Sequence, residues 1–326
     1  MGSRISRRSA LTALAGAFAI VGAAPARAAG KLRVGKAVAQ NPGYIPLDVG
    51  LKFGLFEKEG LDIDPLSFTG GAKLTQAMTA GAVDIALGAG TEMAFVAKGA
   101  PEIAVATITS SPAFMGIFVG AHSTARTADD LKGKKIGVTS AGSLTYWLVD
   151  ELSRVKGWTS DSDRAVAVVV GGSPTAEFAA IKTGEVDAGT GAIGEAYQLE
   201  EEHAGRLLLN VSDYVKDLEL FVTFASTAIV RDNPGAVRGF LKAWYQTIVF
   251  MQGHKAETMR VMMDVIGYST GLAERSYDAL MPHFSTTGRF ESKALAKLRT
   301  SFIDLKALDP SADMTKLYTE EFLPNP

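Results

Sequence analysis

Cysteine is absent from all 326 residues. That excludes a disulfide framework, a thiolate metal site, a cysteine nucleophile and a lipid-modified N-terminal cysteine. An excess of one charge is missing too, since 33 basic side chains face 35 acidic ones for a formal net of -2. Nothing in that balance gives an electrostatic footprint for nucleic acid. Histidine is scarce: His122, His203, His254 and His283 fall in unrelated polar surroundings. No two of them stand at the i, i+3 or i+4 spacing of a helical zinc site, so they read as surface or helix-end residues. There is no G-x-S-x-G elbow and no G-x-x-x-x-G-K-S/T phosphate loop. No catalytic residue, metal or cofactor is therefore expected.

What is present points to a globular chain. Hydrophobic residues make up 47% and charged residues 21%, enough for two domains or one large α/β domain with a buried core. The first thirty residues read as an address. Arg4, Arg7 and Arg8 precede the uncharged apolar run Ala10–Ala24, and Ala26-Arg27-Ala28 follows as a small-x-small cleavage pattern. The run is shorter than the roughly 20 strongly apolar residues of a membrane span; an uncleaved anchor is the alternative. Ser6-Arg7-Arg8-Ser9-Ala10-Leu11 resembles a twin-arginine signal, with Ala10 where a larger apolar residue is usual. Removal of residues 1–29 takes away four arginines and no acid, leaving a net of -6. An exported, periplasmic protein without a lipid anchor is expected.

Downstream, strand-like and helix-like patterns alternate. Lys31–Val38, Ile63–Phe68, Val83–Leu87 and Ile103–Thr109 read as strands, with helices expected over Ile45–Glu59, from Gly70 to about Ala80 and over Glu92–Lys98. Such alternation implies parallel βαβ units, whose working loops lie at the carboxyl ends of the strands. An internal repeat is visible. Ala77–Asp84 matches Ala180–Asp187 at an offset of 103, and Leu32–Gly35 pairs with Lys134–Gly137 at 102. Two similar α/β lobes follow from this. Asp84 and Asp187, each beside a Gly turn, are expected to bond nearby backbone rather than to do chemistry. Val211–Val215 closes the second lobe, Phe224–Val230 reads as a strand, and a mostly helical tail begins with an amphipathic helix over Gly235–Gln252. That helix carries Val237, Leu241, Trp244, Ile248 and Met251 on one face, and Leu317, Tyr318, Phe322 and Leu323 give the C-terminus apolar surface with which to dock.

Seven Gly-, Ser- and Thr-rich turns stand at the expected strand ends. They are Gln40–Tyr44, Thr69–Ala72, Gly88–Thr91, Thr109–Ser111, Thr139–Thr145, Gly171–Ser173 and Gly189–Gly194. Glycine allows close backbone approach, and helix N-termini offer free N–H groups to a ligand's oxygens. A lone turn of this kind is more often a cap; seven shared between two lobes suggest a cleft.

Several segments carry a family resemblance: Leu51-Lys52-Phe53-Gly54-Leu55-Phe56-Glu57-Lys58-Glu59-Gly60-Leu61, Gly81–Ala86, Asp130–Val138, Gly184–Ala188 and Ile229–Pro234. In this order they resemble the substrate-binding proteins of bacterial ABC importers, in the branch serving nitrate, sulfonates, taurine and thiamine-pyrimidine precursors. The resemblance implies a two-lobe α/β periplasmic binding protein fold of type 2, with a ligand cleft between the lobes and a hinge of two crossovers. On that pattern lobe 1 is residues 30–111 plus 223–326, and lobe 2 is residues 112–222. It also implies ligand contacts at Gln40, Asn41, Tyr44, Gly71, Gly90, Thr91 and Ser110 in lobe 1, and at Ser143, Thr145 and Glu195 in lobe 2. The implied partners are a small-molecule solute and an inner-membrane permease with its ATPase; a monomer is expected.

Charge narrows the ligand. The turns and the helix starts beside them hold one cation, Lys73, against Glu92 and Glu195. A tiny anion such as nitrate or bicarbonate wants a cation nearby, whereas two carboxylates suit amine or ring N–H groups. An amino-sulfonate or a nitrogen heterocycle is expected, with an aromatic carboxylate next. Tyr44, Phe114, Tyr146 and Trp147 are candidates to stack on a ring or to fill the core. A solute-sensing module for a receptor kinase is the alternative. An enzyme on the same scaffold is the third reading, disfavoured because the related enzymes rely on cysteine- or histidine-bearing motifs that are absent here and are cytosolic.

Overall fold

A computed structural model describes residues 30–304 and 308–324. The export signal expected over residues 1–29 lies outside the described residues. Leu32–Lys36 (β1), Ile63–Ser67 (β2), Ile85–Ala89 (β3) and Glu102–Thr109 (β4) build one sheet. Met115–Gly120 (β5), Lys135–Val138 (β6), Val166–Val169 (β7), Ala188–Ala192 (β8) and Gly205–Asn210 (β9) build a second, and Phe221–Ser226 (β10) returns to the first. The strand orders are β2-β1-β3-β10-β4 and β7-β6-β8-β5-β9.

Both sheets follow one plan. Three parallel strands come first, and then an antiparallel strand supplied by the other half of the chain: β10 between β3 and β4, β5 between β8 and β9. The chain thus crosses between the sheets twice, through residues 110–114 and 211–220. The repeat seen in the sequence is this shared plan, and its aspartates hold it in place. Asp84 Oδ2 accepts the backbone N–H of Arg33 at 3.0 Å, and Asp187 Oδ2 accepts that of Lys135 at 2.9 Å. Each carboxylate ties the loop before one strand to the start of its neighbour, the structural role expected for both. Asp84 also takes the Arg33 guanidinium at 2.7 Å.

Helices cover the sheets: α1 (Ile45–Lys52), α2 (Leu55–Lys58), α3 (Gly71–Thr79), α4 (Met93–Ala97), α5 (Leu144–Val155), α6 (Pro174–Thr183) and α7 (Ile193–Glu201). The tail adds α8 (Thr227–Asp232), α9 (Pro234–Gly253), α10 (Lys255–Ile266), α11 (Thr270–Leu280) and α12 (Ser292–Asp304). The expected stripe of α9 faces inward: Val237, Leu241, Trp244 and Ile248 are fully buried and Met251 nearly so. Each contributes roughly 1.5–3 kcal/mol of apolar burial. Leu317 and Phe322 are buried as well, and the chain near them pairs with β4, since Ala104 N–H donates to Leu317 O and Thr319 N–H to Ala104 O. Among the described residues no helix is long and apolar enough to cross a membrane.

Three expectations about elements are corrected. The helix expected over Ile45–Glu59 is broken into α1 and α2, because Gly54 adopts a left-handed φ of 65° at the junction. The strand expected over Phe224–Val230 starts earlier and stops at Ser226, whose hydroxyl accepts the Ile229 N–H and opens α8. The strand expected over Val83–Leu87 begins two residues later, at Ile85.

Candidate functional site

The carboxyl ends of β1, β2, β6, β7 and β8 converge, as parallel sheets require of a binding crevice. Their loops touch across the gap. A Cβ on Gly172 would lie 2.8 Å from the Thr69 backbone, and one on Gly70 2.5 Å from Ser140 Oγ. Beneath this contact is a cavity of about 30 Å³, lined by Val38 and Asn41 and by Met115, Thr139, Thr145, Gly171–Ser173, Glu177, Gly191, Ala192 and Glu195. In this state it has room for about one water molecule.

The hydroxyl side of the lining is organised around α5. Ser143 caps that helix by accepting Tyr146 N–H at 3.3 Å and donates to Ser140 O at 2.7 Å. Thr145 Oγ1 accepts the Thr139 N–H at 3.0 Å and contacts Ser143 Oγ at 3.0 Å. Ser173 caps α6 through Ala176 N–H, and Asn41 Oδ1 accepts the Gly43 N–H at 2.8 Å.

The acidic side comes from the first turns of α6 and α7. Glu177 Oε1 accepts the Thr190 N–H at 2.6 Å. Glycines make room for both carboxyls: a Cβ on Gly189 would lie 2.7 Å from Glu177 Oε1, and one on Gly191 2.2 Å from Glu195 Oε2. Burial pushes the Glu195 carboxyl up to about 7. Burial and then the charge of Glu195 push Glu177 well above the usual carboxylate range. Among the described residues no lysine, arginine, histidine or aromatic ring lines the cavity.

Of the ten residues expected to touch ligand, the cavity brings together Asn41, Thr145 and Glu195, with Ser143 directly behind Thr145. Gln40 is exposed beside it. The others lie elsewhere. Tyr44 is buried with its ring 5.1 Å from that of Phe221. Gly71 and Gly88 pack against the carboxylate of Glu92, and a Cβ on Gly90 would meet Glu219 O at 1.9 Å. Thr91 is buried with no partner for its hydroxyl, and Ser110 donates to Glu291 at 2.5 Å. Glu92 itself is a core acid pushed up to about 8 by burial and, secondarily, by Glu102. Lys73 is exposed and donates to Thr69 Oγ1. Phe114 packs on Phe221 and Phe284, Trp147 is buried, and Tyr146 packs on the core of the second sheet. All four histidines are exposed.

Glu177 escaped the sequence reading because it lies in the first turn of α6, beyond the Gly171–Ser173 turn to which that reading was confined. The offset could have found it, since Leu74 stands at the equivalent position of α3 and an acid replaces an aliphatic there. A larger hollow of about 950 Å³ lies between α6, α7 and the loop after β5. It opens at the amino ends of β6 and β8, away from the strand ends that carry the polar lining.

The family described as NMT1/THI5 like matches residues 41–258. A 4-amino-5-hydroxymethyl-2-methylpyrimidine phosphate synthase of Legionella pneumophila is 23% identical over 292 residues, 87% of this chain and 90% of that protein. The alkanesulfonate-binding protein SsuA of Xanthomonas axonopodis pv. citri, solved with MOPS bound, superposes with a TM-score of 0.72 at 20% identity, covering 89% of this chain and 95% of that one. The periplasmic nitrate-binding protein NrtA of Synechocystis PCC 6803 gives 0.70 at 16% identity, with 90% and 86% covered. The fold is that of the periplasmic binding proteins, as expected from the sequence. By the match over most of its length, the chain belongs to the NMT1/THI5 like family.

Proposed function

We propose that this chain is the solute-binding component of an ABC importer. In this reading residues 1–29 export it to the periplasm, where it hands a small organic solute to a membrane permease and its ATPase. The lobes are residues 30–111 with 223–326, and residues 112–222. The observation that carries the reading is a cavity lined from both halves of the chain, whose two sheets share one plan and are joined by two crossovers. A cavity of about 30 Å³ admits no such solute, so capture requires the lobes to part and close again about the crossovers.

The lining favours a solute that donates. Two buried carboxyls without a cation suit an amine or a ring N–H, while Thr139, Thr145, Ser173 and the starts of α5 and α6 suit the solute's oxygens or ring nitrogens. An amino-sulfonate or a nitrogen heterocycle comes first and an aromatic carboxylate next. The name of the Legionella relative favours a second reading, pyrimidine synthesis. With no cysteine in the chain and its histidines exposed, proton transfer in the cavity would fall to Glu177 and Glu195. A sensory module for a receptor kinase needs the same closing cleft, and a neighbouring gene for a permease or a kinase separates the two.

A thermal-shift screen of residues 29–326 tests the reading. The panel holds taurine, alkanesulfonates, nitrate, bicarbonate, thiamine, its pyrimidine precursors and aromatic carboxylates. A ligand at 100 times its Kd adds about 2.7 kcal/mol. A hit recovered unchanged by mass spectrometry supports binding, and a hit converted to product supports synthesis. Silence after unfolding and refolding to strip bound solute counts against both.

A further inference from the structure

The cavity holds one acid more than a simple N–H acceptor needs. Glu177 and Glu195 stand on the first turns of neighbouring helices, both line the cavity, and their carboxyls lie within hydrogen-bonding reach of each other. Two buried carboxylates in contact do not both ionise near neutral pH, so they hold a proton between them. Glu177 already accepts the Thr190 N–H on Oε1, which leaves Oε2 to carry that proton toward Glu195. The glycines at 137, 189 and 191 leave space for this arrangement, since a side chain at any of them would press on one of the two carboxyls.

Among the described residues that line the cavity there is no third acid and no counter-charge. From β1 and the loop after it come Val38 and Asn41; from β5, Met115; from the loop after β6 and α5, Thr139 and Thr145; from β8, glycines and Thr190. Tyr268, in the turn before α11, is the remaining titratable group facing the pair. Burial and then the charge of Glu195 raise its hydroxyl pKa, which keeps it protonated.

We propose that Glu177 is a positioning residue that sets specificity through Glu195: it keeps one proton on the pair, so Glu195 meets the solute as a carboxylate and the site selects solutes that donate N–H bonds or carry positive charge. This rests on the reading of the cavity as the solute site. Capture is then linked to pH. Near and above neutrality the pair carries one proton and one charge. As pH falls a second proton arrives, Glu195 becomes a donor, and the solute's N–H loses its acceptor. For one linked proton the affinity falls about tenfold per pH unit once that range is passed.

The test has two arms. In the first, the solute-free protein labelled with ¹³C at glutamate carboxyls is titrated by NMR from pH 5 to 9, beside Glu177→Gln, Glu177→Leu and Glu195→Gln. One carboxyl is expected to titrate near neutral pH, to vanish in Glu195→Gln, to stay in place in Glu177→Gln, whose amide stands in for the protonated carboxyl, and to move up in Glu177→Leu, which cannot donate. An unchanged midpoint in Glu177→Leu overturns the proposal. Should Glu177→Leu not fold, Glu195→Gln decides alone: the elevated titration of Glu177 is then expected to move down, and no change overturns the proposal.

In the second arm, affinities for taurine and 4-aminopyrimidine are measured by calorimetry between pH 5.5 and 8.5. The expected profile falls about tenfold per unit below pH 7 in the wild type and in Glu177→Gln, and begins its fall at higher pH in Glu177→Leu. A wild-type profile that is itself flat overturns the proposal while leaving the solute site standing. Silence of both probes at every pH counts against the solute-site reading, and the NMR arm still decides the pair.

Discussion

Glu195 and Glu92 stand in equivalent places of the two halves, each with its carboxyl against a glycine of the preceding strand. A Cβ on Gly191 would lie 2.2 Å from Glu195 Oε2, and one on Gly88 would lie 2.0 Å from Glu92 Oε2. The two acids have nevertheless diverged in surroundings. Glu195 lines the cavity beside Glu177, while Glu92 is closed into the core near Glu102.

That difference separates two substitutions of the same kind. Gly191→Ala is expected to drive the Glu195 carboxyl into the cavity, weakening solute binding at least tenfold at a cost to stability of about 1 kcal/mol. Gly88→Ala displaces a fully enclosed acid and is expected to cost about 1–3 kcal/mol. Thermal melts and calorimetry on the pair check both. Equal loss of binding and stability in the two variants would speak against distinct roles for the acids.

Stability is expected to fall as pH rises. Glu92 is raised to about 8 and Glu102 and Glu219 to about 7, chiefly by burial. A carboxyl with a raised folded value binds its proton more tightly folded than unfolded. Its contribution is therefore complete below the unfolded value near 4.5 and is lost as pH climbs to the folded value. The melting temperature should decline from about pH 5 to pH 8. Glu92→Gln should flatten that decline and be more stable than the wild type at pH 8 but not at pH 5. A melting temperature that rises over this range contradicts the burial of these acids in their neutral form.

Asp84 and Asp187 tie neighbouring strands together through backbone N–H groups. Asp84→Ala removes the acceptor for the Arg33 backbone and the partner of its guanidinium. A loss of about 1–3 kcal/mol is expected, with solute affinity unchanged per folded molecule. Denaturant unfolding beside calorimetry measures the two separately, and an affinity loss beyond the unfolded fraction would reassign the residue.

Because the chain has no native cysteine, the opening of the cleft can be read with two spin labels. Gln76→Cys on α3 and Thr175→Cys on α6 are exposed and lie on opposite sides of the Thr69–Gly172 contact. Without solute the distance distribution is expected to include a longer component, which a bound solute converts to the shorter one. Gly172→Ala, whose new methyl meets backbone that cannot yield, should retain the longer component at saturating solute. One unchanged distribution in all three samples rules out closure about the crossovers.

Much of this was legible in the sequence. The strand–helix alternation, the offset of 103 residues and the two aspartates anticipate the shared plan of the sheets, because each rests on local pattern. Legibility fails where a tertiary contact decides. Tyr44 follows the right strand but turns onto Phe221, which comes from the far end of the chain and fills the space behind it. Thr91 and Gly90 lie at the end of β3, but in this half β10 and the segment before it close over that end, as Gly90 N–H bonding to Leu220 O shows. The same end of β8 stays open to the cavity, so Glu195 lines it while its counterpart is closed into the core. Ile229 and Val230 have strand-like side chains, yet the Ser226 cap and Pro234 behind them set a helix.

The most direct measurement is a calorimetric titration of the wild type and Glu195→Ala, side by side at pH 8, with taurine, 4-aminopyrimidine and nitrate. The expected result is one-to-one binding of at least one of the two N–H donors to the wild type, no binding of nitrate, and at least a tenfold loss in Glu195→Ala. A donor that binds both proteins equally, or nitrate binding alone, would contradict the assignment of this cavity and its acidic wall to solute capture.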